Sequence, residues 1–330
     1  MIKNTYNNSR WLEILKYGKY APTPHNTQWY YLHVINQNKA LVGIDSSISI
    51  PYTDPDDQFR FTGLGVFVAH LEYAAKAAGY SVRSTFHVND STFPVEVQIT
   101  NTIKPDPLLA KTILQRRTSR LPYQKKKISD NALIELLKLS TKENLLHISS
   151  DKLLVSAVIN LNNKILIDEL RDKGLGDELS HWIRYTNHAQ AQHQNGFTPD
   201  TLAVSGWKIW LILRFRWVVK ISFMRQWLTR QYIKQNITGT VGWIYSSFAT
   251  KQDQYYAGRF MMDLWIRVTE LGFYMQPYGS IITNLSARKQ FLKAAGQSEA
   301  YGKMVWLAFR VGVSDVPAAS PRKPIEEYLR

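Results

Sequence analysis

The sequence predicts an α+β protein, antiparallel sheets covered by helices, on three observations. Helical and strand-like patterns alternate along the chain, the strands come in hairpin pairs, and a long helix closing on Gly-aromatic occurs twice, at Gly79-Tyr80 and Gly272-Phe273. With 330 residues, 45% of them hydrophobic, the chain can bury a large core, which excludes disorder; 17 Gly and 13 Pro exclude a collagen-like fibre.

Residues 11–20 form a short helical pattern that stops at Ala21-Pro-Thr-Pro, because proline and the residue before it both resist helix. Residues 30–35 and 39–45 read as strands around the Gln37-Asn38 turn. Residues 57–78 read as a long helix with Asp56 or Asp57 as N-cap and Gly79 as its stop. Strands follow at 82–88 and 95–100. The order then recurs: helix over 131–139, strand over 145–149, long helices over 152–171 and 253–271, a short β-run over 273–276 and a strand over 304–313. Sliding the chain also sets Gly65 on Gly258 and Leu71 on Leu264, an echo that fits both duplication and coincidence. The proline-bearing end, Ser320-Pro-Arg-Lys-Pro, is expected to run extended.

Between residues 195 and 247 the second round is interrupted by a segment holding Trp207, Trp210, Trp217, Trp227 and Trp243. From Thr201 to Gln252 there are eight basic residues and no acid, about half of the net charge of +15. Lys208, Arg214, Arg216 and Lys220 make a bilayer-spanning helix costly, and on a single helical wheel they spread around the circumference. A helical lid or subunit contact, peripheral membrane contact and a nucleic-acid face all remain open; no recognisable nucleic-acid module accompanies the charge, so no nucleic-acid partner is expected. Cysteine is absent, excluding disulfides, thiolate metal sites and cysteine nucleophiles. The first residues lack a secretory signal pattern, so a cytoplasmic location, with the inner membrane face as a candidate contact, is expected.

Three clusters carry chemistry. Arg116, Arg117, Thr118, Ser119 and Arg120 place three forked guanidiniums and two hydroxyls where they can ring a phosphate, or where they are a solvated basic turn. His25, Asn26, Thr27 and Gln28 lie in a loop whose amides suit the edge of a heteroaromatic ring, or each other. Pro277, Tyr278, Gly279 and Ser280 follow the last long helix, and glycine there lets backbone N–H groups approach a ligand. His181, His188 and His193 lack the spacing of a metal helix, so no metal is expected, and no P-loop, nucleophile elbow or Gly-x-Gly-x-x-Gly fingerprint is present.

Taken together, these clusters resemble the nitroreductase family of FMN enzymes, in particular its fused, two-copy Acg-like branch. Ala21-Pro-Thr-Pro-His-Asn-Thr-Gln-Trp resembles that family's loop ending Asn-Ser-Gln-Pro-Trp, without the second proline. Arg116-Arg-Thr-Ser-Arg-Leu-Pro-Tyr resembles its Arg-Arg-Ser-x-Arg-x-Phe opening, Leu271-Gly-Phe-Tyr-Met-Gln-Pro-Tyr-Gly its Gly-Leu…Pro turn, and Ser320-Pro-Arg-Lys-Pro its closing Ser-Arg-x-Pro. The likeness covers nearly all of the chain outside the Trp-rich insert. It implies a nitroreductase-like fold of two tandem halves, residues 1–110 and 111–330, forming a pseudo-dimer, with the insert at about 195–247. One FMN site is implied between the halves; the first half lacks the Arg-Arg-Ser-x-Arg opening, which implies that a second site is lost.

The resemblance also assigns residues. Arg116, Thr118, Arg120 and Arg322 would grip the FMN phosphate, and Arg117 would face the ribityl chain. Thr23 and Asn26 would touch the isoalloxazine, with Gln28 and His25 as weaker assignments. Pro277 and the backbone of Gly279 and Ser280 would lie near the reactive nitrogen of the ring. It implies ping-pong hydride transfer from NAD(P)H through FMN to a flat aromatic acceptor, with the flavin rather than a side chain as the catalytic group. Two alternatives accompany it: oxidation of a heteroaromatic alcohol, as in pyrrole-pigment biosynthesis, and non-enzymatic sequestration of FMN. Substrate, direction of electron flow and assembly (monomeric pseudo-dimer or higher homo-oligomer) stay open.

Overall fold

The computed structural model describes residues 9–217, 221–300 and 302–330. α1 (Ser9–Gly18) presents Trp11, Ile14 and Leu15, at i, i+3 and i+4, to the core. β1 (Tyr30–Asn36), β2 (Lys39–Ile44), the long α2 (Gln58–Ala78), β3 (Tyr80–Phe86) and β4 (Val95–Thr102) follow. Next come α3 (Pro107–Gln115), α4 (Asp130–Leu137), β5 (Asn144–Ser149) and α5 (Lys152–Glu169). Five helices succeed them: α6 (Lys173–His181), α7 (Asn187–His193), α8 (Pro199–Leu202), α9 (Gly206–Arg214) and α10 (Ser222–Gln235). β6 (Val241–Ser247), the long α11 (Lys251–Glu270), β7 (Tyr274–Pro277), α12 (Gly279–Thr283), α13 (Leu285–Ala295) and β8 (Lys303–Gly312) complete the regular structure.

The strands form two four-stranded sheets of order β1-β2-β4-β3 and β5-β6-β8-β7, with antiparallel neighbours throughout. The α+β expectation therefore holds, and the two sheets repeat one topology. The register repeats as well. Val82, Arg83 and Ser84 face Ile99, Gln98 and Val97, while Met275, Gln276 and Pro277 face Val311, Arg310 and Phe309 at matching positions.

α2 and α11 pack against each other, and two glycines set how closely. A Cβ on Gly65 would stand 1.9 Å from the Tyr255 carbonyl oxygen, and one on Gly258 would stand 1.8 Å from that of Thr62. Each glycine thus faces the carbonyl three residues before the other, a reciprocal contact with the character of a two-fold interface. The core runs through this contact: Leu64, Phe67 and Leu71 pack with the first sheet, and Phe260, Leu264 and Trp265 with the second.

Four expectations need correction. β6 lies inside the 195–247 segment, yet it is a central strand, paired on both sides, with Trp243 buried. Its Gly242-Trp-Ile-Tyr run was hidden by the tryptophan-rich composition around it. Asp57 stands at the N-cap position of α2, but with a left-handed φ of 56° and no capping hydrogen bond from its side chain; Asp54 Oδ1 and Oδ2 instead accept from the N–H groups of Gln58 and Phe59 at 2.8 and 2.7 Å. β3 begins two residues earlier than expected. Within 207–223, α9 ends at Arg214 and α10 begins at Ser222, so the described residues belong to two helices rather than one. Among the described residues no helix is long and apolar enough to cross a membrane.

The tail runs extended to Pro324, makes a short 3-10 turn at Ile325–Tyr328, and then reaches the first sheet. There Leu329 bridges Leu32 in parallel and the Arg330 N–H donates to the Leu32 carbonyl at 2.9 Å. The last residues of the chain thus close onto its first strand.

Candidate functional site

The loop between α1 and β1 is strained. His25, Asn26 and Gln28 adopt φ of 49°, 55° and 55°, in the left-handed region, which asparagine and histidine enter more readily than glutamine does. Such backbone costs on the order of 1 kcal/mol per residue and persists only when its surroundings dictate it. Here they do. The Thr23 hydroxyl accepts from the Gln28 N–H at 3.0 Å. Asn26 Nδ2 donates to the carbonyls of Gly196 (3.1 Å) and Pro321 (3.0 Å), and Asn26 Oδ1 accepts from Arg322 Nη1 at 2.5 Å. Gln28 Oε1 accepts from the Lys323 N–H and the Tyr328 hydroxyl, while Gln28 Nε2 donates to the Gln194 carbonyl at 3.0 Å. Both amides therefore pin the tail and the 194–197 segment to this loop.

The guanidiniums converge on the same place. Arg116 Nη2 and Arg322 Nη2 both donate to the Tyr20 carbonyl, at 2.9 and 3.3 Å. Arg120 Nη1 donates to the Thr201 carbonyl at 2.9 Å, and its guanidinium lies 4.9 Å from the centre of the Phe197 ring. The other side of that ring's surroundings is His25, 5.4 Å away between centroids. Arg120 is thus joined to the Asn26 loop through Phe197. Arg117 turns elsewhere, donating to the Pro317 carbonyl at 2.6 Å. Thr118 bridges Met275 along the backbone, which brings the Arg116–Arg120 turn beside β7 and the Pro277–Ser280 corner.

Charge in this cluster is uncompensated. Among the described residues no ion pair joins a carboxylate to Arg116, Arg120 or Arg322. Nε and Nη1 of Arg116 and Nε of Arg322 are buried without a partner. Burial, then the neighbouring Arg322 and Arg117, lowers the pKa of Arg116 to about 9; burial, then Arg310, lowers that of Arg120 to about 10; burial lowers that of Arg322. All remain cationic at neutral pH. The same positive field keeps nearby histidines neutral: burial and Arg120 bring His25 to about 4, and burial and Arg116 bring His70 to about 3. Buried cations with free N–H groups and no acid beside them are the chemistry of an anion site.

At the Pro277–Ser280 corner, a Cβ on Gly279 would meet nothing within 4 Å, so this backbone faces open space. Ser280 Oγ donates to Glu169 Oε2 at 2.7 Å. Burial, opposed only by this hydrogen bond, raises Glu169 to about 7.

Sequence reasoning missed Arg310. It is fully buried in β8 and donates to Gln276 Oε1 (2.8 Å) and to the carbonyls of Gln235, Ile237, Ser119 and Leu121, with its guanidinium 4.1 Å from the Tyr123 ring centre. It fastens the Arg116–Arg120 turn, β7 and the end of α10 together. The available signal was a lone arginine in the apolar run Leu307-Ala-Phe-Arg-Val-Gly. Phe197 and Glu169 were missed too, and nothing in their local sequence marks them.

The matching corner of the first sheet is built differently. Phe86 stands where Gly279 stands and stacks on Tyr255, with centroids 4.5 Å apart and planes at 14°. Glu72, at the position of Trp265, forms a bidentate pair with Arg259 at 2.8 and 3.1 Å. Trp265 instead lies 4.7 Å from the Arg116 guanidinium. A cavity of about 360 Å³ remains at this corner, lined by Glu72, Arg83, Ser84, Phe86, Tyr255 and Arg259.

No family profile matches the sequence, and no curated protein matches it. Among solved structures, the chain is similar to a nitroreductase-like family protein from Bacillus cereus at 16% identity, with 70% of this chain and 98% of that one covered and a TM-score of 0.38. It is similar to a nitroreductase with bound FMN from Bacteroides fragilis (12% identity, 66% and 94% covered, TM-score 0.37). A third is an FMN-dependent nitroreductase from Mycobacterium smegmatis in complex with NADPH (12% identity, 68% and 97% covered, TM-score 0.41). These three solved structures are thus nitroreductases or nitroreductase-like proteins.

Proposed function

We propose that the chain is an FMN-dependent oxidoreductase of the nitroreductase type. The observation that carries this reading is the buried cluster of Arg116, Arg120 and Arg322. It has unpartnered N–H groups and no carboxylate, and it is joined to the Asn26 loop and set beside the open backbone of Gly279. These residues fit a flavin mononucleotide, whose phosphate supplies the missing negative charge and whose ring needs an unobstructed backbone edge. Arg116, Arg120 and Arg322 hold the phosphate, with Thr118 beside them. The N–H groups at Gly279 and Ser280 would face the ring, and Thr23 and Asn26 would close it from the loop before β1. When bound, FMN supplies reversible two-electron chemistry between a reduced nicotinamide and a flat aromatic acceptor. Glu169, with a pKa of about 7, holds an exchangeable proton at its carboxyl next to the Ser280 hydroxyl. The 194–197 segment, hydrogen-bonded across Asn26 and Gln28, excludes water from that side.

The test is the visible absorption of the purified full chain before and after NADH or NADPH. Yellow protein that bleaches is the expected outcome, with the colour lost in Arg116→Met and Arg322→Met. A colourless preparation that does not take up added FMN ends the proposal. The packing of Phe197 against both Arg120 and His25 favours a second reading, flavin retention without turnover, for which the protein would be yellow and both nicotinamides would leave the spectrum unchanged.

A further inference from the structure

We propose that α9, α10 and the exposed side chains of Phe215, Trp217 and Ile221 form a docking face for the interfacial zone of an anionic lipid bilayer. Large apolar side chains stand in water along this stretch: Trp207 is 66% exposed, Trp217 60% and Phe223 74%, with Trp210, Leu211, Phe215, Ile221 and Trp227 also exposed. A cluster of this kind on a soluble surface marks a site of association. Among the described residues, only Ile209 and Leu213 of α9 and Leu228 of α10 are buried against the body. On α9, Trp207, Trp210 and Leu211 fall at i, i+3 and i+4, and on α10 Phe223 and Trp227 fall at i and i+4, so each helix shows an outward apolar face. The break between the helices removes the difficulty posed by a single helical wheel over 207–223.

Composition and charge select the partner. Tryptophan and phenylalanine beside arginine and lysine suit the headgroup level, where ring bodies enter the acyl boundary and cationic tips reach lipid phosphates. Lys208, Arg214, Arg225, Arg230 and Lys234 are exposed, and no acidic residue occurs from 201 to 252. Arg216 is spent on Asp177, at 2.6 Å. Such a face complements an anionic surface. A second copy of the chain would have to bring the same positive charge to the contact.

The face is also wired to the candidate site. The Thr201 carbonyl, just before α9, accepts from Arg120, and the Gln235 carbonyl, at the end of α10, accepts from Arg310. Gln235 Nε2 closes the two ends together by donating to the Ala203 carbonyl at 3.1 Å. A bilayer-bound face would therefore hold the guanidinium cluster close to the membrane surface, where apolar aromatic compounds concentrate.

The experiment is sedimentation of the full chain with vesicles of phosphatidylglycerol and phosphatidylcholine in equal parts, and with phosphatidylcholine alone. Anionic vesicles are expected to carry the protein down, with quenching of tryptophan fluorescence when the acyl chains are brominated. Arg225→Gln with Arg230→Gln should weaken partitioning about tenfold or more, since each cation near such a surface contributes about 1 kcal/mol. Trp207→Ser, Trp217→Ser and Phe223→Ser together should abolish quenching without lowering the melting temperature, because all three side chains lie in solvent. Protein that remains in the supernatant with anionic vesicles overturns the proposal. So does light scattering that shows a dimer broken by the triple substitution while vesicles leave the wild type free, or retention on DNA or RNA without any on vesicles.

Discussion

Glu169 shows how one side chain reports on its surroundings. Its folded pKa of about 7 lies above the ordinary carboxylate value because burial disfavours the anion. The folded state therefore binds a proton more tightly than the unfolded chain does. Its penalty is absent below the unfolded pKa, builds as pH rises from about 4.5 towards 7, and is complete above that, at on the order of 3 kcal/mol. Glu169→Gln keeps an acceptor for Ser280 and removes the titration. Urea unfolding of this variant should show greater stability than the wild type at pH 8 and near equality at pH 4.5; equal stability at both pH values would contradict the assignment. Arg310 is the opposite case, a buried cation whose removal strands acceptors. Arg310→Met should lower stability by about 3 kcal/mol or more in the same measurement, since five oxygens lose a donor.

Among the elements, the crossing of α2 on α11 is the least tolerant. Gly65→Ala or Gly258→Ala sets a methyl group against a carbonyl oxygen, with no rotamer that avoids it. Overpacking of side chains usually costs about 1–3 kcal/mol, and a backbone obstacle belongs at the upper end or beyond. A thermal melt that moves by less than a degree for Gly65→Ala would mean that the helices stand further apart. The echo of Gly65 in Gly258 was visible in the sequence, as were both long helices, because a strong helical period and a Gly-aromatic stop survive without tertiary help. β6 was not visible. Its alternation is blurred by burial on both faces, and it follows a stretch whose tryptophans suggested one continuous insert. The loop at His25–Gln28 stood out in the sequence by its amides. What the amides do was not, since their partners at Gly196, Gln194 and Pro321 lie far away in sequence.

For the molecule as a whole, chain closure matters. Tyr328, Lys323 and Arg322 meet Gln28 and Asn26, and Arg330 meets β1, so the tail secures the first sheet and the loop before it. Removing residues 320–330 should cost about 3 kcal/mol or more in buried area and hydrogen bonds. It should also speed amide hydrogen exchange at residues 25–28 ahead of the rest of the core, as expected where strained backbone loses its restraints. Uniform acceleration throughout would show that the tail acts on global stability alone.

The Phe86–Tyr255 stack bears on stoichiometry. A skeleton with two-fold character ordinarily offers two equal berths, yet here one corner keeps a bare glycine and the other is wedged by an aromatic pair above an ion pair. Titrating the chain with FMN should therefore saturate at a single equivalent.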